Sequence, residues 1–155
     1  MANDVRFEGV TPYLRYENAG AAIDWLMRTL GFEERSRYVD KDGVVRQAEL
    51  YAGATEVWLS GHDASYWETH PRVTDQFIMV WVDDVDAQYE RAKSAGASAS
   101  PPVDQTWGVR NFHVTDPGGY HWGFCKRLPA GYQQVKPLED GGLREEMKQE
   151  QPSAR

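Results

Sequence analysis

One order of elements occurs twice along this chain, and few folds accommodate that. Residues 9–16 alternate, with Leu14 and Tyr16 on one face and Tyr13 and Arg15 on the other, which predicts a strand. Asn18 is an N-cap candidate, Ala22, Ile23, Leu26, Met27 and Leu30 recur at helical spacing, and Gly31 supplies the stop. Strands follow at 32–39, 44–51 and 55–59, the first pair joined by the turn Asp40-Lys41-Asp42-Gly43. The order then returns: a strand at 76–82, a cap at Asp84, a helix over 85–95 stopped by Gly96, a short strand at 97–101, and strands at 108–115 and 120–126 around the turn Asp116-Pro117-Gly118-Gly119. An offset of 66 lays Leu14 on Val80, Tyr16 on Val82 and Asn18 on Asp84. An offset of 64 lays Val45 on Val109, Leu50 on Val114 and Trp58 on Trp122. The reading is an α+β fold made of a duplicated βαβββ unit.

The 155 residues suit one domain. Residues 1–128 are assigned to it, with module one at about 8–60, a linker loop at 60–75 and module two at about 76–128. Residues 129–155 lose apolar periodicity and are read as a mobile charged tail. Net charge is −7, from 24 acidic and 17 basic residues, which disfavours a nucleic-acid binder. No apolar run approaches membrane-spanning length, and the first ten residues carry no apolar signal core. The single cysteine, Cys125, excludes an internal disulfide and fits a reducing, cytoplasmic setting.

These residues carry a resemblance. The twice-used strand and glycine-stopped helix, with the Asp-Pro-Gly-Gly turn before the closing strand Tyr120-His121-Trp122, resemble the vicinal oxygen chelate superfamily of glyoxalases, extradiol dioxygenases and bleomycin-resistance-type proteins. The resemblance covers roughly residues 10–126 and implies strands curled round a concave pocket. It also implies where metal-dependent members place their ligands: Thr11, Trp58 or Leu59, Phe77 and Gly123. None of these side chains holds a divalent ion well. The expectation is therefore a member without metal or other cofactor, closer to the bleomycin-resistance-like proteins.

Strand parity supplies the pocket candidates. Leu14 and Tyr16 pack on the helix, leaving Thr11, Tyr13 and Arg15 for the concave face. Phe77, Met79 and Trp81 follow from the fifth strand, Gln47, Glu49 and Tyr51 from the third, and Asn111, His113 and His121 from the last two. Trp58 joins them as an aromatic wall, Trp122 fits the core, and Gly123 leaves room for a bulky ligand or marks a close approach. Glu49 and His113 are the candidate catalytic pair, able to balance a cation or move a proton. The alternative for Glu49 is a structural ion pair with Arg15, Arg46 or Arg110. His62, Asp63, Glu68 and His70 are metal-capable types but match no tight ligand spacing.

The primary reading is a metal-free small-molecule binder that sequesters a planar or cationic aromatic compound as a homodimer. It engages neither nucleic acid nor membrane. The alternatives are an enzyme of the same fold (lyase, isomerase or dioxygenase-like, acting through Glu49 and His113 or an atypical metal), and an interaction module without a pocket.

Overall fold

The first helix of each module begins where a short polar side chain caps it. Asn18 Oδ1 accepts from the Ala21 amide at 2.9 Å, opening α1 (Ala19–Trp25). The helix winds on as a wider π turn, Leu26–Leu30, and ends at Gly31, whose φ of 78° needs glycine. Asp84 caps α3 (Val85–Ser94) through the Ala87 amide at 2.9 Å. The computed structural model describes residues 6, 8–72 and 75–129. The predicted 129–155 tail lies, apart from its first residue, outside the described residues.

The strands are β1 (Tyr13–Tyr16), β2 (Glu33–Val39), β3 (Val45–Ala52), β4 (Thr55–Gly61), β5 (Phe77–Trp81), β6 (Val103–Gln105), β7 (Val109–Thr115) and β8 (His121–Arg127). They form two four-stranded sheets of the same topology, β1-β4-β3-β2 and β5-β8-β7-β6. The first strand of each module runs parallel to its neighbour, and the other pairs are antiparallel. This is the expected α+β duplication.

One face of each sheet packs into a shared core. Leu14, Tyr16, Ala48, Leu50, Val57 and Leu59 come from module one, and Phe112, Val114, Trp122 and Phe124 from module two. Ile23 and Leu26 of the first helix are fully buried there. Each of the larger aliphatic side chains among them contributes about 1.5–3 kcal/mol through burial. The modules also join directly. Phe32 meets Trp122 edge-on, with centroids 5.2 Å apart, and Gln88 Nε2 donates to the Leu30 carbonyl at 2.9 Å. The Asp116 carboxylate of the Asp-Pro-Gly-Gly turn accepts from Tyr16 Oη at 2.5 Å and Trp122 Nε1 at 3.0 Å, and from the Gly118 and Tyr120 amides.

Three details differ from the sequence reading. Residues 97–101 do not form a strand: Ala99 makes one isolated bridge to Val114, and the pairing strand is β6, which begins after Pro101-Pro102. Proline carries no amide hydrogen for a ladder, which displaces the strand downstream. The linker is not simply a loop, because Ala64–Thr69 form a helical turn, α2. Finally, Trp58 does not correspond to Trp122. Trp58 lies beside Tyr13 and Glu49, and Gly123 lies beside Met79 and His113, so the closing strands align at Trp58 with Gly123. A one-residue difference between the hairpins produces this, and it reverses the face.

Candidate functional site

Register fixes what stands on the open face of each sheet. In module one, Tyr13 lies beside Trp58, Trp58 beside Glu49, and Glu49 beside Ser36. The next row is Arg15, Ser60, Gln47 and Tyr38, and the row on the other side holds Glu56, Tyr51 and Glu33. Tyr13 and Trp58 meet edge to face at 5.9 Å. Trp58 Nε1 donates to Glu56 Oε2 at 2.9 Å. Glu49 accepts from Ser36 Oγ at 3.2 Å and lies 3.6 Å from Arg35 Nε.

Arg35 is thus the ion-pair partner of Glu49, in place of the three arginines weighed from sequence. Arg46 pairs with Asp40 and Asp63, Arg110 with Asp86 and Asp104, and Arg15 donates to Tyr66 Oη at 2.6 Å. A register shift between Glu34 and Ser36 brings Arg35 to Glu49. Strict alternation has no means of announcing that bulge.

In module two the rows are Phe77, His121 and Thr115; Met79, Gly123 and His113; Trp81, Cys125 and Asn111. Phe77 stacks on His121 at 5.2 Å and meets His113 edge-on at 5.0 Å. Arg127 lies 4.5 Å above the Trp81 ring. Asn111 is buried and accepts from Gln105 Nε2 at 2.9 Å. Burial pushes the Cys125 thiol up to about 11, which keeps it protonated and a poor nucleophile.

Gly123 does not leave room for a ligand. A Cβ built there would lie 2.9 Å from Met79 Sδ and 3.0 Å from His113 Nδ1, so those two side chains already fill the space. Among the described residues His113 Nδ1 is buried with no hydrogen-bond partner, and Nε2 lies 3.4 Å from Asn111 Nδ2. Burial, and then the neighbouring His121, hold the His113 imidazolium pKa below its ordinary value.

The positions at which the resemblance implies metal ligands do not suit a metal. Leu59 points into the core, so Trp58 is the fourth-strand residue on the open face. Together with exposed Thr11, Phe77 and the occupied Gly123, it offers no set of nitrogen or oxygen donors. Among the described residues no group of three His, Cys, Asp or Glu side chains is placed to hold an ion. Glu49 and His113 occupy equivalent places on separate sheets and make no hydrogen bond to each other among the described residues.

Two features escaped the sequence reading. A cleft of about 410 Å³ lies between β5 and the β3–β4 hairpin, lined by Val57, Ile78, Met79, Trp81 and Trp122, with Val10 and Pro12 at its edge. It falls between modules, where strand parity carries no information. The other is a ring stack on α2. Tyr66 lies between His62 and His70 with centroid separations of 3.8 and 3.9 Å, and Arg15 donates to its hydroxyl. The spacing of His62, Tyr66 and His70 at every fourth residue was the available signal.

Burial, and then the charge of Arg15, lower the His62 pKa. The native state therefore holds His62 and His113 neutral where the unfolded chain protonates them. Their contribution to stability is complete above the ordinary histidine value of about 6.5 and is lost as pH falls through the lower folded-state values. The thermal midpoint is expected to fall on acidification from neutral pH, and His62→Gln to flatten that slope. An unchanged slope in the variant would assign the loss to other groups.

Comparison with known proteins fits this geometry. The model of the glyoxalase/bleomycin resistance protein/dioxygenase superfamily matches residues 9–124, most of the chain. The chain belongs to this superfamily. A relative, an uncharacterized protein of Mycobacterium tuberculosis, is 32% identical over 120 residues, covering 73% of this chain and 71% of its own. The crystal structure of TioX from Micromonospora sp. ML1 is similar at 31% identity and a TM-score of 0.61, covering 76% of this chain and 94% of TioX. TnmS3, an antibiotic binding protein from Streptomyces sp. CB03234, shares the fold at 20% identity and a TM-score of 0.62, over 79% of this chain and 98% of that one. No helix among the described residues is long and apolar enough to cross a membrane.

Proposed function

We propose that this superfamily member binds and sequesters a planar aromatic compound, with a cationic group, without changing its bonds or using a metal. The observation that carries the reading is the pair of open aromatic faces. Tyr13, Phe77 and Trp81 are 55%, 54% and 52% exposed, and Trp58 and Met79 stand beside them. Large aromatic side chains left open on adjoining rows give planar ligands a stacking surface. The family match, and a fold neighbour that binds an antibiotic, support small-molecule binding on this scaffold.

The working form is a cytoplasmic homodimer. Face one carries Glu33, Glu49 and Glu56 beside Arg15 and Arg35, whereas face two carries Arg127 over Trp81 and no acidic side chain in its three rows. Face one of one protomer closing on face two of its partner gives two equivalent clefts and covers the exposed rings. Sedimentation should give twice the monomer mass.

The binding test is tryptophan quenching and thermal shift against planar aromatic compounds, cationic and neutral. At about a hundredfold excess over Kd, a true ligand adds about 2.7 kcal/mol of stability. Trp58→Ala or Trp81→Ala should weaken binding by about tenfold. If no planar compound raises the melting temperature, sequestration is wrong. The unpartnered Nδ1 of His113 supports a second reading, proton transfer on a bound substrate. Under that reading His113→Ala abolishes a turnover found by substrate screening while binding survives.

A further inference from the structure

We infer that Arg35 is a built-in occupant of the cation position on face one, and that the external ligand it stands in for carries a planar, delocalised cation of the amidinium or guanidinium class. This rests on the proposed sequestering role and adds to it the charged group the site selects.

The surroundings of the Arg35 guanidinium define the class. Nη1 reaches Glu56 Oε1 at 2.5 Å, Nε lies 3.6 Å from Glu49 Oε2, and the group sits 5.7 Å from the Tyr51 ring centre. One carboxylate thus hydrogen-bonds one N–H edge, the other stands off the Nε side at ion-pair distance, and an aromatic ring lies nearby. A flat cation with donors on more than one edge fits that arrangement, whereas a compact ammonium presents a point charge without a face. Trp58 donates to the second oxygen of Glu56, and Ser36 donates to the same Glu49 oxygen that faces Arg35. Both carboxylates are therefore oriented by groups other than the arginine. The cage keeps its shape when the guanidinium leaves.

Arg35 reaches this place through an irregularity. The register passes from Glu34 opposite Leu50 to Ser36 opposite Glu49, skipping Arg35, so two successive side chains, Arg35 and Ser36, arrive at one carboxylate. The Arg35 side chain is 47% exposed, against 24% and 29% for the two glutamates. An ion pair that open to water contributes little to stability, so an incoming cation with an aromatic ring can displace it. The ring of that ligand would rest on the Tyr13–Trp58 pair, one strand across from Glu49. Arg35 then sets specificity: it competes with cations and lowers the affinity of the cage for weak ones.

The probe is benzamidinium, with benzamide as its neutral isostere and methylammonium as a compact cation, titrated into the full-length protein by calorimetry. Arg35→Ala should bind benzamidinium about tenfold more tightly than wild type, with no such gain for benzamide or methylammonium. The double variant R35A/E56Q should lose that gain. Equal benzamidinium affinity in wild type and Arg35→Ala, or an equal gain for benzamide, overturns the inference. Weaker binding in Arg35→Ala overturns it too, by making Arg35 part of the ligand's own contact. The two readings fail separately. Planar compounds that bind wild type with no effect of Arg35→Ala leave sequestration standing and remove the stand-in. Tight benzamidinium binding to Arg35→Ala, beside a wild type that binds no planar compound, keeps the cage and removes sequestration. Thermal unfolding of both variants should show a folded protein, given how exposed Arg35 is.

Discussion

Asp116→Ala is expected to cost about 3–5 kcal/mol of folding stability, the largest single effect of any polar substitution in the described fold. The carboxylate is buried and accepts four hydrogen bonds. Two come from amides of its own turn. The others come from Tyr16 Oη on the first strand of module one and Trp122 Nε1 on the closing strand of module two. Alanine orphans all four donors, and the Tyr16 and Trp122 donors are buried. Burial and the negative charge of Asp116 hold the Tyr16 phenol protonated far beyond its ordinary range, so it remains a donor at every accessible pH. The turn has little room to adjust, because a Cβ on Gly118 would lie 2.5 Å from the Tyr16 ring. Urea denaturation should show the midpoint falling with little change in slope. Asp116→Asn, which keeps an acceptor but loses the charge, should cost roughly half as much. A double-mutant cycle with Tyr16→Phe should give a coupling of about 1–3 kcal/mol. A loss below about 1 kcal/mol for alanine would mean that water replaces the carboxylate and that the Asp116 network adds little to the joining of the two modules.

How far the sequence carries can be judged from the same residues. Asn18, Asp84 and Gly31 marked helix ends correctly, because capping depends on a residue's own short side chain or its left-handed backbone. The alternation of Leu14 with Tyr13, and of Ala48 and Leu50 with Gln47 and Glu49, gave the correct faces, since a strand has only two. What escaped depends on partners. The bulge that brings Arg35 to Glu49 is a property of the β2–β3 pairing and has no local signature. The Trp58–Trp122 alignment failed because matching two tryptophans outweighed the hairpin difference that places them on opposite faces. The inter-module cleft needs the packing of two sheets, which neither module encodes alone.

Gly123→Glu tests the proposed metal-free reading most severely. It places an acidic side chain where the family resemblance implies one in metal-dependent members. The substitution should cost about 3 kcal/mol rather than create a centre. Even the first carbon of the new side chain would sit 2.9 Å from Met79 Sδ and 3.0 Å from His113 Nδ1. Met79 is at the open surface and can swing away, whereas His113 lies beneath the edge of Phe77. The carboxylate would therefore push the imidazole out of its packing. Its other candidate co-ligands by position are Thr11, Trp58 and Phe77, which supply no strong donor. Zinc or nickel added to the variant should leave its melting temperature where it was. The double variant M79A/G123E, which removes the thioether clash, should recover part of the lost stability and still gain nothing from metal. A metal-dependent rise would identify His113 as a latent ligand and place this chain one substitution from a metalloprotein if seen in Gly123→Glu, or two if seen only in M79A/G123E. No such rise, with the expected stability loss, would mean that module two is packed around its glycine. Restoring a metal centre would then require rebuilding the row from Met79 to His113 together.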